Sequence, residues 1–197
     1  MIIGLTGSIA TGKSQSSKIF KQLGCYIIDA DKISRTLTTK DSKCLKDIVG
    51  TFGTDVLKDD GTLNRKKLGE IVFNDKQAKI ELERIINPHI IRKTNEILAK
   101  KYNATDIIVD APLLFEVGLD RICDKVLVIY AKYHLQVSRL MRRDNLSKEE
   151  AVKRISLQMP IEDKMKMADV TIDNSGTLAE LKKNIKFIYK QLKDINR

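Results

Sequence analysis

Short apolar runs alternate along the chain with longer segments in which apolar residues recur every three or four positions. The first pattern is typical of strands buried in a parallel sheet, and the second is typical of helices that cover such a sheet. The apolar runs predict five strands, at Met1–Thr6, Cys25–Asp29, Asp106–Asp110, Lys125–Tyr130 and Ala168–Ile172. The helical periodicity predicts helices at Lys13–Leu23, His134–Arg143, Lys148–Gln158 and Thr177–Ile195. We therefore expect an α/β fold with three layers, in which helices lie on both faces of one sheet.

The last predicted helix has an apolar stripe at helical spacing, which we interpret as a core-facing surface. The stripe consists of Leu178, Leu181, Ile185, Ile188 and Leu192.

The stretch from Lys32 to Lys101 contains no convincing strand, although it separates the second and third predicted strands. Its pattern predicts helices at Ser42–Thr51 and Arg65–Phe73, and a longer helix from Asp75 that is interrupted near Asn87-Pro88-His89. This connection is far longer than an ordinary crossover between parallel strands. We therefore expect residues 32–101 to form an inserted helical subdomain that holds a second substrate, and residues 1–31 and 102–197 to form the core.

Composition and charge narrow the class of protein. The chain has 197 residues, enough for one domain with an insert, and a formal net charge of +10. A lysine-rich solvated surface explains this charge best, an anionic substrate comes second and nucleic acid third, because only 5% of the residues are aromatic. The sequence has no signal-peptide pattern, no membrane-spanning run and no paired spacing of its three cysteines. We expect a cytoplasmic protein without membrane, nucleic-acid or obligate protein partners.

Residues 7–14 form a complete G-x-x-x-x-G-K-[ST] phosphate loop between the first predicted strand and the first predicted helix. In such a loop, backbone N–H groups and the positive end of the helix dipole hold phosphate groups. Lys13 is expected to reach the β- and γ-phosphates of ATP, and the Ser14 hydroxyl to bind Mg²⁺. The expected ATP-binding residues are Gly7, Ser8, Ile9, Ala10, Thr11, Gly12, Lys13, Ser14 and Gln15.

Carboxylates follow the second and third predicted strands, at the sheet edge where ligands bind in open α/β folds. Asp110 can hold Mg²⁺ through water, or it can cap the turn at Pro112–Val117. Asp31 can accept the proton of an attacking hydroxyl, or it can cap the helix that begins near Lys32. We favour Asp31 over Asp29 as the base, because Asp29 can point away and bind backbone.

Several basic residues are candidates for substrate contacts. Arg139 and Arg143 lie four residues apart on one predicted helix face, whereas Arg142 is expected to turn elsewhere. As catalytic residues they would clamp phosphate oxygens, and the alternative is a solvated helix face that includes Asp144.

Two further basic residues lie in the predicted insert. Arg65 is expected to bind a phosphate of the acceptor, and the alternative is a surface ion pair with Glu70 or Asp60. His89 lies in the predicted helix break and is a candidate for an acceptor pocket, while His134 has no assigned role.

Motifs along essentially the whole chain resemble the bacterial dephospho-coenzyme A kinase family. The most specific are Ile28-Asp29-Ala30-Asp31, Pro112-Leu113-Leu114-Phe115-Glu116 and Ile172-Asp173-Asn174, and Arg154-Ile155 and Gln158-Met159 also match. The resemblance implies a sheet of order 2-3-1-4-5, a helical CoA domain, and a lid at about residues 139–167. It also implies ATP-dependent phosphorylation of the ribose 3′-hydroxyl of dephospho-CoA, with Mg²⁺ as cofactor and with the proposed base of the family falling on Asp31.

The sequence departs from the family pattern at a few positions. Ser8 and Ala10 stand where the family usually has glycines, and Gln15 replaces a common Thr. Asn87 stands where a His usually precedes the proline. Met165 stands where a basic residue is frequent, and we expect Lys164 and Lys166 to compensate.

Three other function classes fit the sequence less well. A kinase for another small nucleotide is the nearest alternative, and the length of the insert favours a bulky acceptor instead. A GTP-binding switch protein would need a D-x-x-G segment, and Asp110-Ala111-Pro112-Leu113 lacks its glycine. A nucleic-acid-binding module would leave the phosphate loop unexplained.

Overall fold

The computed structural model describes residues 1–101 and 105–195, and its centre is a five-stranded parallel sheet. The strands are β1 (Ile2–Gly7), β2 (Tyr26–Asp29), β3 (Ile107–Asp110), β4 (Lys125–Tyr130) and β5 (Val170–Asp173). Their order is β2-β3-β1-β4-β5, which confirms the predicted fold class. Because β1 pairs in parallel with β3 and β4, the carboxyl ends of these three strands meet at one edge of the sheet.

Ten α-helices are found in the described residues. They are α1 (Lys13–Gln22), α2 (Ala30–Leu37), α3 (Lys43–Phe52), α4 (Arg65–Asn74), α5 (Lys76–Lys101), α6 (Leu114–Val117), α7 (Tyr133–Asp144), α8 (Lys148–Ser156), α9 (Ile161–Met167) and α10 (Leu178–Ile195). Single 3₁₀ turns occur at Thr54–Val56 and Leu119–Ile122. No helix within the described ranges is long and apolar enough to cross a membrane.

The chain divides into two compact units. The first consists of Met1–Ile28 with Lys101–Arg197, and the second of Asp29–Lys100. Residues 102–104 and 196–197, which belong to the predicted core, lie outside the described residues.

The core of the first unit lies between the sheet and helices α1 and α10. Residues from β1, such as Ile3 and Leu5, pack there with Phe20 of α1 and Ile185 of α10, and all four are fully buried. The apolar stripe predicted for the last helix therefore faces the core, except at one end. Leu178, the first residue of α10, is 59% exposed.

The second unit has its own apolar cluster, formed by α3, α4 and the residues that connect them. The buried members are Cys44, Leu45, Ile48, Val56, Leu63 and Leu68. Leu82, Ile85 and Ile86 of α5 pack against this cluster.

The predicted interruption of α5 near Pro88 is wrong, because the helix runs continuously from Lys76 to Lys101. A proline within a helix removes one N–H···O bond and costs about 3 kcal/mol. Apolar packing on both sides of Pro88 opposes this cost. Ile85 and Ile86 precede it and pack on the cluster, and Ile90 follows it and is buried.

Candidate active site

The phosphate loop connects β1 to α1, as the sequence predicts. Gly12 precedes the first residue of α1 and has a φ of 98°, a backbone conformation that residues other than glycine rarely adopt. A Cβ atom at this position would lie 2.0 Å from the side-chain Nδ2 atom of Asn174. Gly12 is therefore required both by its backbone angle and by the close approach of Asn174.

Asn174, directly after β5, fixes the middle of the loop. Its side chain donates a hydrogen bond of 2.8 Å to the carbonyl oxygen of Thr11, and its own N–H donates to the carbonyl oxygen of Tyr130 at 2.8 Å. Its side chain is buried, so this contact is shielded from water. Asn174 lies in a motif that carried the family resemblance, but no site role was predicted for it.

Lys13 and Asp110 lie together at the carboxyl ends of β1 and β3. The Lys13 ammonium forms a short hydrogen-bonded ion pair with the Asp110 carboxylate, and both side chains are mostly buried. The alternative role for Asp110 as a helix cap does not apply, because α6 has Leu113 as its N-cap residue. A carboxylate thus lies directly beside the lysine of the phosphate loop.

A cavity of about 320 Å³ lies beside the loop in the first unit. It is lined by Ala10, Gly12, Gln15, Arg139, Arg142, Asn174, Gly176, Leu178 and Leu181. Arg139 is held by a hydrogen bond of 2.9 Å to the carbonyl oxygen of Asn174. The expectation that Arg142 turns elsewhere is wrong, because positions three apart on a helix also share a face and Arg142 lines the same cavity as Arg139.

Arg143 has a different environment. It forms two hydrogen bonds with its neighbour Asp144, at 2.8 and 3.1 Å, and Arg154 reaches the same carboxylate at 3.1 Å. The hydrogen bond from Arg143 lowers the pKa of Asp144, which therefore stays charged. The structure brings Arg139 to the cavity beside the loop, and it leaves Arg143 paired at the end of α7.

The two carboxylates of the Asp-Ala-Asp motif hold different positions at the start of α2. Asp29 is the N-cap residue, and its side chain accepts a hydrogen bond of 2.9 Å from the N–H of Lys32. Asp31 lies in the first turn of α2 and is exposed. The alternative that Asp31 caps this helix is therefore wrong, because the N-cap residue is Asp29, whose side chain binds backbone.

A basic cavity of about 510 Å³ lies within the second unit. Among the described residues, its lining includes five cationic side chains and no carboxylate, and the cations are Arg35, Lys40, Lys58, Arg65 and Lys66. Arg65 donates hydrogen bonds to the Thr38 hydroxyl and, at 3.4 Å, to the carbonyl oxygen of Arg35. Among the described residues it forms no ion pair with Glu70 or Asp60, so its charge is not neutralised by either.

His89 lies inside α5, apart from the residues that line the basic cavity. Its Nε2 atom is 3.5 Å from an Asp47 carboxylate oxygen, and its Nδ1 atom is 3.2 Å from the Arg92 guanidinium. Of the described residues that line the basic cavity, Arg65 is one and His89 is not.

The chain has clear similarity to known proteins. The family model described as dephospho-CoA kinase matches residues 1–180. The chain belongs to the dephospho-CoA kinase family. The dephospho-CoA kinase of Bacillus thuringiensis subsp. konkukian is 42% identical over 193 residues, which cover 97% of this chain and 96% of that protein.

Solved structures agree with this assignment. The dephospho-CoA kinase from Campylobacter jejuni is 36% identical and superposes with a TM-score of 0.70, covering 100% of this chain and 98% of that one. The TT1252 protein from Thermus thermophilus is 30% identical with a TM-score of 0.82, covering 98% and 97% of the two chains.

One expectation about the departures from the family pattern is wrong. Lys164 cannot replace a basic residue of the lid, because its side chain is fully buried. Its ammonium donates to the carbonyl oxygen of Pro112 at 2.6 Å and lies 3.0 Å from the Glu116 carboxylate. Lys166 remains exposed and pairs with Asp163.

Sequence reasoning also missed two glutamines that contact the phosphate loop of this dephospho-CoA kinase family member. Gln136 and Gln158 both bond to Ser8 and Ile9. Gln158 lies in a family-like motif, which was a usable signal. Gln136 gave only a weak sequence signal, because it is a polar residue next to apolar positions of α7.

Proposed function

We propose that this chain transfers the γ-phosphoryl group of ATP to the ribose 3′-hydroxyl of dephospho-CoA, which yields coenzyme A and ADP. The observation that carries this proposal is the match to the dephospho-CoA kinase family over residues 1–180, with an intact phosphate loop at the end of β1. The reaction is the last step of CoA biosynthesis. The pairing of Lys13 with Asp110 and the cationic cavity of the second unit support the same reaction.

ATP is proposed to bind along the phosphate loop and in the adjoining cavity. The N–H groups at the start of α1 face the anion, and the helix dipole favours negative charge there. Lys13 exchanges its contact with Asp110 for the β- and γ-phosphates. The ion pair with Asp110 holds Lys13 in place before the nucleotide arrives. When ATP binds, one charge-assisted hydrogen bond of Lys13 is replaced by another.

The residues present fit a Mg²⁺ ion that arrives with ATP. Mg²⁺ usually keeps several waters and takes only one or two protein ligands besides phosphate oxygens. The exposed Ser14 hydroxyl is proposed as the direct ligand, and Asp110 as the partner of a bound water. The ion supplies charge neutralisation for the transferring phosphoryl group.

Asp31 is proposed as the group that orients or deprotonates the acceptor hydroxyl. A ribose hydroxyl is a weak nucleophile at neutral pH, so a positioned carboxylate accelerates its attack. Both carboxylates are exposed, and Asp29 caps α2 by accepting a hydrogen bond from the N–H of Lys32. Of the two carboxylates, Asp31 is therefore the one whose side chain does not cap α2.

Arginines are proposed to stabilise the charge that develops on the transferring group. Arg139 lines the cavity beside the loop, and Arg142 lines it too. Arg143 is proposed for the same role after it releases Asp144, and the segment of about residues 139–167 is proposed as the lid that carries these side chains.

The second unit is proposed to hold the acceptor. Dephospho-CoA contains a pyrophosphate, and the basic cavity offers five cations around about 510 Å³. Arg65 is proposed to bind these phosphate oxygens, since its fork geometry suits bidentate contacts. His89 is proposed as a second contact to the acceptor outside this cavity. We further propose a cytoplasmic location and a reaction without nucleic-acid, membrane or obligate protein partners.

Acceptor competition tests this proposal. The protein is incubated with ATP and Mg²⁺ and with dephospho-CoA, AMP or adenosine in separate reactions, and the products are identified by mass. We expect a gain of one phosphoryl group on dephospho-CoA, with kcat/KM for the other acceptors at least about 10²-fold lower. Preferred phosphorylation of AMP or adenosine would instead support a kinase for another small nucleotide.

A further inference from the structure

Two glutamines from distant parts of the chain form hydrogen bonds with the first half of the phosphate loop. Gln136 lies in α7 and is 1% exposed, while Gln158 follows α8 and is half-buried. Both belong to the first unit, as does the loop.

Four hydrogen bonds join the two glutamine side chains to Ser8 and Ile9, two to each residue. Gln136 donates through Nε2 to the Ser8 hydroxyl at 2.8 Å and to the carbonyl oxygen of Ile9 at 2.7 Å. Gln158 accepts through Oε1 from the Ser8 hydroxyl at 2.9 Å and from the N–H of Ile9 at 2.7 Å. The Ser8 hydroxyl thus accepts from one amide and donates to the other.

The backbone of Ile9 fixes the orientation of both amides. Its N–H needs an acceptor and its carbonyl needs a donor, so Gln158 must present oxygen and Gln136 must present nitrogen. The two glutamines are therefore not equivalent. A carboxylate could replace the acceptor function of Gln158, and it could not replace the donor function of Gln136.

The segment that follows Ile9 has a strained backbone, which gives the hydrogen bonds of Gln136 and Gln158 a structural purpose. Ala10 has a φ of 61°, a left-handed conformation that is unfavourable for a residue with a Cβ atom. Beyond it, Thr11 donates through its hydroxyl to the carbonyl oxygen of Ser8 at 2.8 Å and accepts from Asn174. Ala10 thus lies between two segments that side-chain hydrogen bonds hold in place, Ser8–Ile9 on one side and Thr11 on the other.

We propose that Gln136 and Gln158 are positioning residues that hold the Ser8–Ile9 peptide and keep the phosphate loop in its ATP-binding shape before the nucleotide arrives. Neither side chain needs to touch the reacting atoms. The inference rests on the proposed function only in that ATP is the ligand of the loop.

Substitution by Met and by Glu at each glutamine tests this proposal. Met keeps the length of the side chain without its hydrogen bonds, and Glu adds one negative charge at either position. Binding of ATP with Mg²⁺ is measured by calorimetry without acceptor, and KM for ATP, KM for dephospho-CoA and kcat are measured separately. The thermal midpoint is recorded for every variant, and Gln77→Met, at an exposed glutamine of α5 bonded to Glu81, is the matched control.

We expect Gln136→Met and Gln158→Met to weaken ATP binding by about tenfold, as two lost hydrogen bonds imply. Gln158→Glu should recover most of the affinity lost in Gln158→Met, whereas Gln136→Glu should bind no better than Gln136→Met. KM for dephospho-CoA should stay within about twofold of wild type, and Gln77→Met should bind ATP normally. If Gln136→Glu does not fold, the contrast between Gln158→Met and Gln158→Glu decides.

Equal behaviour of the two Glu variants would overturn the proposal, because charge alone would then explain it. Wild-type ATP affinity in both Met variants, or equal losses for ATP and dephospho-CoA, would overturn it as well. A wild-type protein that binds ATP but does not phosphorylate dephospho-CoA would contradict the proposed function and leave this comparison of ATP affinities valid.

Discussion

Replacing Lys164 by Met removes an ammonium group that is completely buried in α9. This group donates to the carbonyl oxygen of Pro112 at 2.6 Å and pairs with Glu116 at 3.0 Å. The Oε1 atom of Glu116 is buried and has no hydrogen-bond partner among the described residues, so the ion pair with Lys164 is its compensation. The substitution therefore leaves a carboxylate and a carbonyl oxygen without their cation.

The expected cost follows from the burial of the two partners. Breaking a buried ion pair by removing one side costs about 3–5 kcal/mol. The Glu116 side chain is 19% exposed, so water recovers part of this cost, and we expect the free energy of unfolding to fall by about 2–4 kcal/mol. For a chain of this size, that corresponds to a thermal midpoint lower by about 5–15 °C.

Thermal and urea unfolding of matched variants measure this effect. Lys166→Met is the control, because the Lys166 side chain is 76% exposed and pairs with Asp163 at the surface. We expect this substitution to change the free energy of unfolding by less than about 0.5 kcal/mol. The double variant Lys164→Met with Glu116→Gln should be more stable than Lys164→Met alone, since no carboxylate is left unpaired. If Lys164→Met is no less stable than Lys166→Met, the reasoning from the buried pair is refuted.

Three further predictions concern the loop and the acceptor cavity. Lys13→Ala should lower kcat by about 10²-fold or more because it removes charge stabilisation in the transition state, and steady-state kinetics with normal kcat and only a raised KM for ATP would contradict this. Arg65→Ala should raise KM for dephospho-CoA and spare ATP binding, while the exposed Arg84→Ala should change neither, and equal effects of the two variants would defeat the assignment. Ala10→Gly should raise the free energy of unfolding, measured by urea titration, by about 0.5–1 kcal/mol, because glycine adopts a φ of 61° without strain. Ala151→Gly, in the interior of α8, should lower the free energy of unfolding by about 1 kcal/mol. A destabilised Ala10→Gly variant would show that no strain is stored at this position.

Local patterns predicted the sheet and most helices well. The strands are recognisable because buried parallel strands need continuous apolar runs, and the phosphate loop is recognisable because its chemistry needs fixed residues in sequence. The uninterrupted helix through Pro88 was not predictable in this way. It depends on the packing of Ile85, Ile86 and Ile90, which local propensity does not contain.

Contacts between distant residues account for the rest of the candidate site. Ser8 and Gln158 are 150 positions apart, and only the fold brings them together. The different environments of Arg142 and Arg143 depend on how Asp144 pairs, and helical spacing alone could not distinguish them. Lys164 looked like a surface cation because lysine usually is one, and its burial against Glu116 follows from the position of α9.

Single-turnover phosphoryl transfer by wild type and Asp31→Asn tests the central claim most directly. Excess enzyme is mixed with limiting γ-labelled ATP, Mg²⁺ and dephospho-CoA, the label on the 3′-position of the product is followed in time, and ATP binding is measured in parallel by calorimetry. We expect wild type to form coenzyme A, and Asp31→Asn to bind ATP normally while transfer is slower by about 10²–10⁴-fold. Absence of coenzyme A from the wild-type reaction, or a wild-type rate of transfer in Asp31→Asn, would contradict the account.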